Sequence, residues 1–74
     1  MASVIFILNG VQTKILCSIH DKMTVIVNKF IMKSKIDARK VYFLYAGNQI
    51  NYNLTFYEQA NNMDKLRNEM KCVY

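Results

Sequence analysis

The sequence predicts a small α+β domain, a mixed sheet of four to five strands packed on one main helix. Three observations carry that expectation. Asn9-Gly10 lies between two runs rich in β-branched and apolar residues, and an apolar stripe recurs at helical spacing from Met23 to Ser34. A further run, Phe43-Leu44-Tyr45, stops at Ala46-Gly47 before a return that ends in Ile50. Seventy-four residues hold one domain at most.

The first element is the hairpin. Asn-Gly is the strongest short hairpin signal because both turn residues must take positive φ. Pairing outward from it sets Leu8 opposite Val11, Phe6 opposite Thr13 and Val4 opposite Ile15. One face then carries Val4, Phe6, Leu8, Val11, Ile15, Cys17 and Ile19, and is expected to be the core. The other carries Ile5, Ile7, Gln12, Lys14 and Leu16. Asp21 is placed to cap a helix starting near Lys22. Met23, Ile26, Val27, Phe30, Ile31 and Ser34 form its buried stripe, with Lys22, Lys29 and Lys33 opposite, beside Val25 and Met32.

After Ile36 the pattern changes. Residues 41–45 read as a strand, Gly47 as its turn and residues 48–50 as a short return strand; 54–59 reads as a helical turn. The last piece, 69–74, alternates as a strand, with Met70, Cys72 and Tyr74 on one side and Lys71 and Val73 on the other. A helix from Met63 to Val73 competes, because Met63, Leu66, Met70 and Val73 also fit helical spacing.

A domain this small hides only about 60% of its unfolded surface. A hydrophobic fraction of 53% supplies a core, and the two cysteines can add at most one staple. No apolar run approaches the roughly 20 residues of a membrane span. The start, MASVIFILNG, lacks a basic region and an A-x-A-like cleavage site, so it reads as a first strand. The expectation is a soluble protein of the cytoplasm or nucleus with no membrane partner.

Ten Lys or Arg against five Asp or Glu give a net charge of +5. Half of the basic residues, Lys29, Lys33, Lys35, Arg39 and Lys40, fall between positions 29 and 40. Such a cluster can attract acidic proteins, nucleic acid or anionic membrane; the plainer reading is a solvated helix end, where cations favour the dipole. Catalytic patterns are missing. His20 has only Asp21 beside it, and there is no Gly-rich phosphate loop, carboxylate pair or Ser-His-Asp set, so no enzyme, cofactor or metal is expected.

The order hairpin, helix, strand, short strand, helical turn, strand resembles a β-grasp domain, and the details resemble the ubiquitin-like family. Gly10 falls in the first turn, Met23, Ile26 and Phe30 reproduce the family's helix-core spacing, and Ile36 stands where its helix-to-strand loop carries isoleucine. Residues 43–50, FLYAGNQI, look like its strand-turn-strand signature, and Leu54-x-x-Tyr57 matches a Leu-x-x-Tyr whose tyrosine hydroxyl ties the long loop to the backbone. The resemblance spans residues 1–74 as one ubiquitin-like domain. In that strand order Cys17 and Cys72 sit on strands separated by the first, about twice 4.8 Å apart and too far for a disulfide. Both are expected to face the core as thiols.

Ubiquitin-like domains work by offering surfaces. The family's main recognition patch, carried over residue by residue, implies Leu44, Ala46, Gly47, Lys71 and Val73 as partner-binding residues. A second family surface on the outer face of the hairpin implies Ile5, Ile7 and Leu16. Conjugated members end in Gly-Gly, whereas this sequence reads Lys71-Cys72-Val73-Tyr74, and Asn48 replaces the family's main chain-linking lysine. The expectation is therefore an unconjugated protein-interaction module, part of a longer protein or free, with ubiquitin-receptor-like or proteasome-associated partners. The alternatives are a basic β-grasp domain binding RNA or another polyanion through residues 29–40, a modifier cut short of its tail, and a structural subunit of a large assembly. RNA ranks lower because no aromatic interleaves the basic cluster for base stacking.

Overall fold

The computed structural model describes residues 1–74, the side chain of Ala38 excepted. Its strands are β1 (Ala2–Leu8), β2 (Val11–Cys17), β3 (Leu44–Tyr45), β4 (Asn48–Gln49) and β5 (Glu69–Val73). Its helices are α1 (Met23–Ser34), α2 (Phe56–Gln59) and α3 (Asn62–Arg67), with a 3-10 turn at Ala38–Lys40. The five strands form one open mixed sheet in the order β2-β1-β5-β3-β4. With α1 packed against it, the fold is β-grasp-like, as the residues led one to expect.

The hairpin register follows the turn. Asn9 and Gly10 take φ of 51° and 83°, both left-handed, and Leu8 faces Val11, Phe6 faces Thr13 and Val4 faces Ile15. Only the lower part of the expected core face is buried. Val4, Phe6, Ile15 and Cys17 lie inside, joined by Ala2, whereas Leu8 and Val11 are exposed near the tip, beyond the core. Met23, Ile26, Val27 and Phe30 supply the helix side of that core. The Phe6 and Phe30 rings stack at 4.2 Å, and Phe43 meets both edge-on.

Asp21 does not cap α1. Its carboxylate accepts the Ser18 N–H at 2.9 Å and closes a turn at the end of β2. The first N–H groups of α1 find backbone partners instead. Met23 N–H donates to the Leu54 carbonyl at 2.8 Å and Thr24 N–H to that of Tyr52 at 3.2 Å. Because the long loop satisfies those orphan donors, no capping side chain is required, and residue Lys22 stands at the cap without one.

The third strand is shorter than expected. β5 ends at Val73, which pairs with Leu44, so residues 41–43 find no strand beside them; Phe43 keeps one bond, accepting the Ile50 N–H at 3.1 Å. The chain between Leu54 and Glu69 holds two short helices. α2 is fixed by a reciprocal cap in which the Thr55 hydroxyl accepts from Glu58 N–H and the Glu58 carboxylate accepts from Thr55 N–H. α3 starts at Asn61, whose side chain accepts the Asp64 N–H, and stops at Asn68 in left-handed geometry, φ 53°. The helical periodicity from Met63 thus survives only to Arg67. Asn68 then hands its carbonyl to Ser3 N–H at 3.0 Å, which opens the parallel β1–β5 ladder.

Candidate functional site

Two registers decide what the outer face of the sheet presents. On β1, Ser3, Ile5 and Ile7 point away from α1; β2 sets Leu16, Lys14 and Gln12 opposite them, and β5 sets Glu69, Lys71 and Val73 on their other side. Val73 in turn faces Leu44 on β3, and Leu44 faces Gln49 on β4. The face is therefore ordered in rows across the strands. One row reads Gln12, Ile7, Val73, Leu44, Gln49, with three aliphatic side chains in succession. The next reads Lys14, Ile5, Lys71, an aliphatic between two cations.

These registers join the two surfaces expected from the sequence. Ile7, from the hairpin surface, is the direct cross-strand neighbour of Val73, and Ile5 that of Lys71. Ile5, Ile7 and Leu44 are half-buried by their neighbours, and Val73 is 51% exposed. Leu16 lies apart, at the corner beside Ser3 on the edge strand. Ala46 and Gly47 are exposed in the β3–β4 turn, both with positive φ, 52° and 84°, and Ala46 borders a polar hollow with Lys71, Tyr45, Asp64 and Glu69. On the far side Lys40, Tyr42, Leu44 and Val73 line a shallow groove. Tyr42 was missing from the expected set, although alternation from Leu44 puts it on the same face.

The five basic residues of positions 29–40 are divided among several surroundings. Lys29 and Lys33 line a hollow with Lys14, Ile15 and Leu16 along the free edge of β2, and Lys29 stands 3.8 Å from the Asp21 carboxylate. Lys35 forms the left-handed end of α1 at φ 55°, Arg39 pairs with Asp37 at 3.3 Å, and Lys40 belongs to the groove beside Tyr42.

A hydroxyl does tie the long loop to the backbone, but it belongs to Tyr45. Asn61 N–H donates to the Tyr45 hydroxyl at 2.9 Å, and that hydroxyl donates to the Asp64 carboxylate. Tyr57 instead gives its N–H to the Ile19 carbonyl, which turns its ring outward to lie under the Lys65 ammonium at 4.5 Å. Burial, opposed by the Asn61 N–H and helped by Asp64, pushes the Tyr45 phenol up to about 12.

Cys17 and Cys72 are free and buried. β1 separates their strands, and Cys17 faces Ala2 while Cys72 faces Phe6, so about four residues of rise, ~13 Å, add to the lateral gap. Burial, then the nearby Asp21 charge, pushes the Cys17 thiol up to about 11. Burial and Asp64 push Cys72 up to about 12. A protonated, enclosed thiol is neither nucleophile nor ligand. His20 is exposed in the turn before α1. Compared with known proteins, the chain matches no family model and no curated sequence.

Proposed function

We propose that this chain is a non-catalytic, ubiquitin-like interaction module that binds protein partners through the outer face of its sheet. The observation that carries this reading is the aliphatic row Ile7, Val73 and Leu44 on the sheet face that α1 leaves bare, with Val73 exposed and Ile7 and Leu44 half-buried. Contiguous exposed aliphatics on a small domain mark contact surfaces more often than scattered ones do. Ubiquitin-receptor-like or proteasome-associated proteins in the cytoplasm or nucleus are the partner class that this reading implies.

The test is recovery of partners from the source cell with wild-type domain, a Leu44→Arg plus Val73→Arg variant, and an Ile5→Lys plus Leu16→Lys variant. The reading expects partners to be lost with the first variant, and weakened with the second because Ile5 lies on β1 in the row next to that of Ile7. Partners retained by the first variant would move the function elsewhere. A second reading, polyanion binding, draws on the hollow where Lys14, Lys29 and Lys33 meet. It predicts affinity falling steeply with salt and insensitivity to Leu44→Arg.

A further inference from the structure

The solvent side of α1 carries a pattern of its own. At about 100° per residue, Val25, Asn28 and Met32 fall in one stripe opposite the buried Met23, Ile26, Val27 and Phe30. Val25 is 43% and Met32 79% exposed, and Asn28 between them is exposed too. Asp21 before the helix and Lys35 after it extend the series, so Asp21, Val25, Asn28, Met32 and Lys35 follow at alternate intervals of four and three. Those are the intervals at which the seam of one helix meets another helix. Lys29 and Lys33 lie off the stripe, on the flank toward β2. Among the described residues, Lys35 has no ion-pair partner.

The stripe is self-complementary about Asn28. An antiparallel copy sets Val25 against Met32 and Asn28 against Asn28, with Asp21 at one end opposite Lys35 at the other. Apolar meets apolar, acid meets base, and the helix dipoles run in opposite directions. A parallel copy sets Lys35 beside Lys35 and Asp21 beside Asp21. Asparagine at the centre of a seam selects one register, because a shifted partner leaves its amide against aliphatic side chains.

We infer that this chain forms a two-fold homodimer through α1, antiparallel and centred on Asn28. The contact runs from residue 21 to residue 35, about 21 Å. Covering about a tenth of the 4955 Å² surface of each copy buries roughly 1,000 Å² in all, at the low end of specific interfaces, so the dimer is weak. Each copy has a net charge of +5, and in an antiparallel pair Lys29 and Lys33 of both copies share one flank. Repulsion therefore opposes association, and salt relieves it. An anionic membrane gains little from two apolar side chains set around an amide, and a polyanion meets an acid at one end; a second copy satisfies all five positions. Because α1 packs on the other side of the sheet, the dimer leaves both outer faces open, and its existence does not depend on what they bind.

Sedimentation equilibrium of the 74-residue domain from micromolar to millimolar concentration tests the dimer. A monomer–dimer equilibrium is expected, tightened by added salt and weakened about tenfold or more by Met32→Lys. Leu44→Arg plus Val73→Arg, which adds more charge away from α1, should shift it less. Asn28→Cys is expected to give a disulfide-linked dimer on oxidation, and Val25→Cys to cross-link with Met32→Cys faster than with itself. Cys17 and Cys72 are buried and do not compete. Urea midpoints of these variants, all at exposed positions of α1, control for misfolding. A domain that stays monomeric throughout, association that survives Met32→Lys, or cross-linking through Leu44→Cys in place of Asn28→Cys overturns the inference. Oligouridine or phosphatidylserine vesicles that shift the Val25, Asn28 and Met32 amides of a monomeric domain also overturn it. Each of these outcomes leaves the outer-face reading to its own variants.

Discussion

The Tyr45 hydroxyl is the residue-scale device of this molecule: it accepts from Asn61, donates to Asp64 and so fastens the start of α3 to the sheet. Removing it leaves a partly buried N–H and a carboxylate short of a partner, at a cost of about 1–2 kcal/mol. Tyr45→Phe is expected to lower the urea midpoint accordingly, and Tyr57→Phe to leave it within about 0.5 kcal/mol. The opposite ranking would return the loop-tying role to Tyr57. The motif spacing alone pointed to Tyr57 because a Leu-x-x-Tyr pattern does not reveal which tyrosine a loop can reach. That is fixed by where α3 folds, and the sequence left α3 ambiguous between helix and strand.

The same scale yields a pH dependence. Unfolded thiols ionise near 9.0 and phenols near 10.0, whereas folded Cys17 holds its proton to about 11, and Cys72 and Tyr45 to about 12. Folded values above unfolded ones mean that this contribution is fully present below the unfolded pKa and is lost as pH rises toward the folded one. The urea midpoint should fall progressively above about pH 9. Thiol-reactive dyes should label the native protein slowly and accelerate only in unfolding urea. Fast native labelling of either cysteine would contradict the burial.

At the scale of elements, the two tight turns differ in a way that stability can report. Asn9-Gly10 and Ala46-Gly47 both place two successive residues at positive φ, but alanine carries a Cβ penalty there of roughly 1–2 kcal/mol, which asparagine partly avoids. Ala46→Asn is therefore expected to stabilise by about 0.5–1 kcal/mol, while Gly10→Ala should destabilise by about 1 kcal/mol or more, both read by urea unfolding. Ala46 also borders the proposed contact face, so a loss of partner binding in the stabilised variant would explain why strain persists at this turn.

Helix starts were the least legible elements. Asp21 has the right chemistry for a cap, yet its carboxylate serves the Ser18 turn while distant carbonyls of Tyr52 and Leu54 receive the helix N–H groups. Local capping rules see only neighbours in sequence, and this cap arrives from thirty residues away. α3 inverts another rule. Its polar Asp64 side turns inward to Tyr45, while Met63 and Leu66 are 61% and 82% exposed. Periodicity marks a helix there without saying which side is in.

For the whole molecule, alternation made the sheet faces legible, and the resemblance, rather than any short-range signal, put the last strand beside the first. The sequence still set Ile5 and Ile7 on one surface and Lys71 and Val73 on another, although the parallel register of β1 and β5 makes them one face. That pairing also makes β5 the structural centre, between β1 and β3, with Met70 and Cys72 fully buried. A chain of residues 1–68 is expected to lack a cooperative thermal transition and native circular dichroism, because both remaining pieces of sheet lose their shared neighbour. Native-like melting of that fragment would place the stability in the hairpin and α1 alone.

The central place of β5 bears on how the protein is made. Ser3 pairs with Glu69 and Ile7 with Val73, so β1 leaves the ribosome well before the strand it pairs with. Throughout that interval Val4 and Phe6 have a helix to lean on but no strand on their inner side, and the open flank of β1 is a template for any extended chain nearby. Completion of the domain waits for β5 to emerge, and the nascent hairpin is the stretch a cell must shield until then.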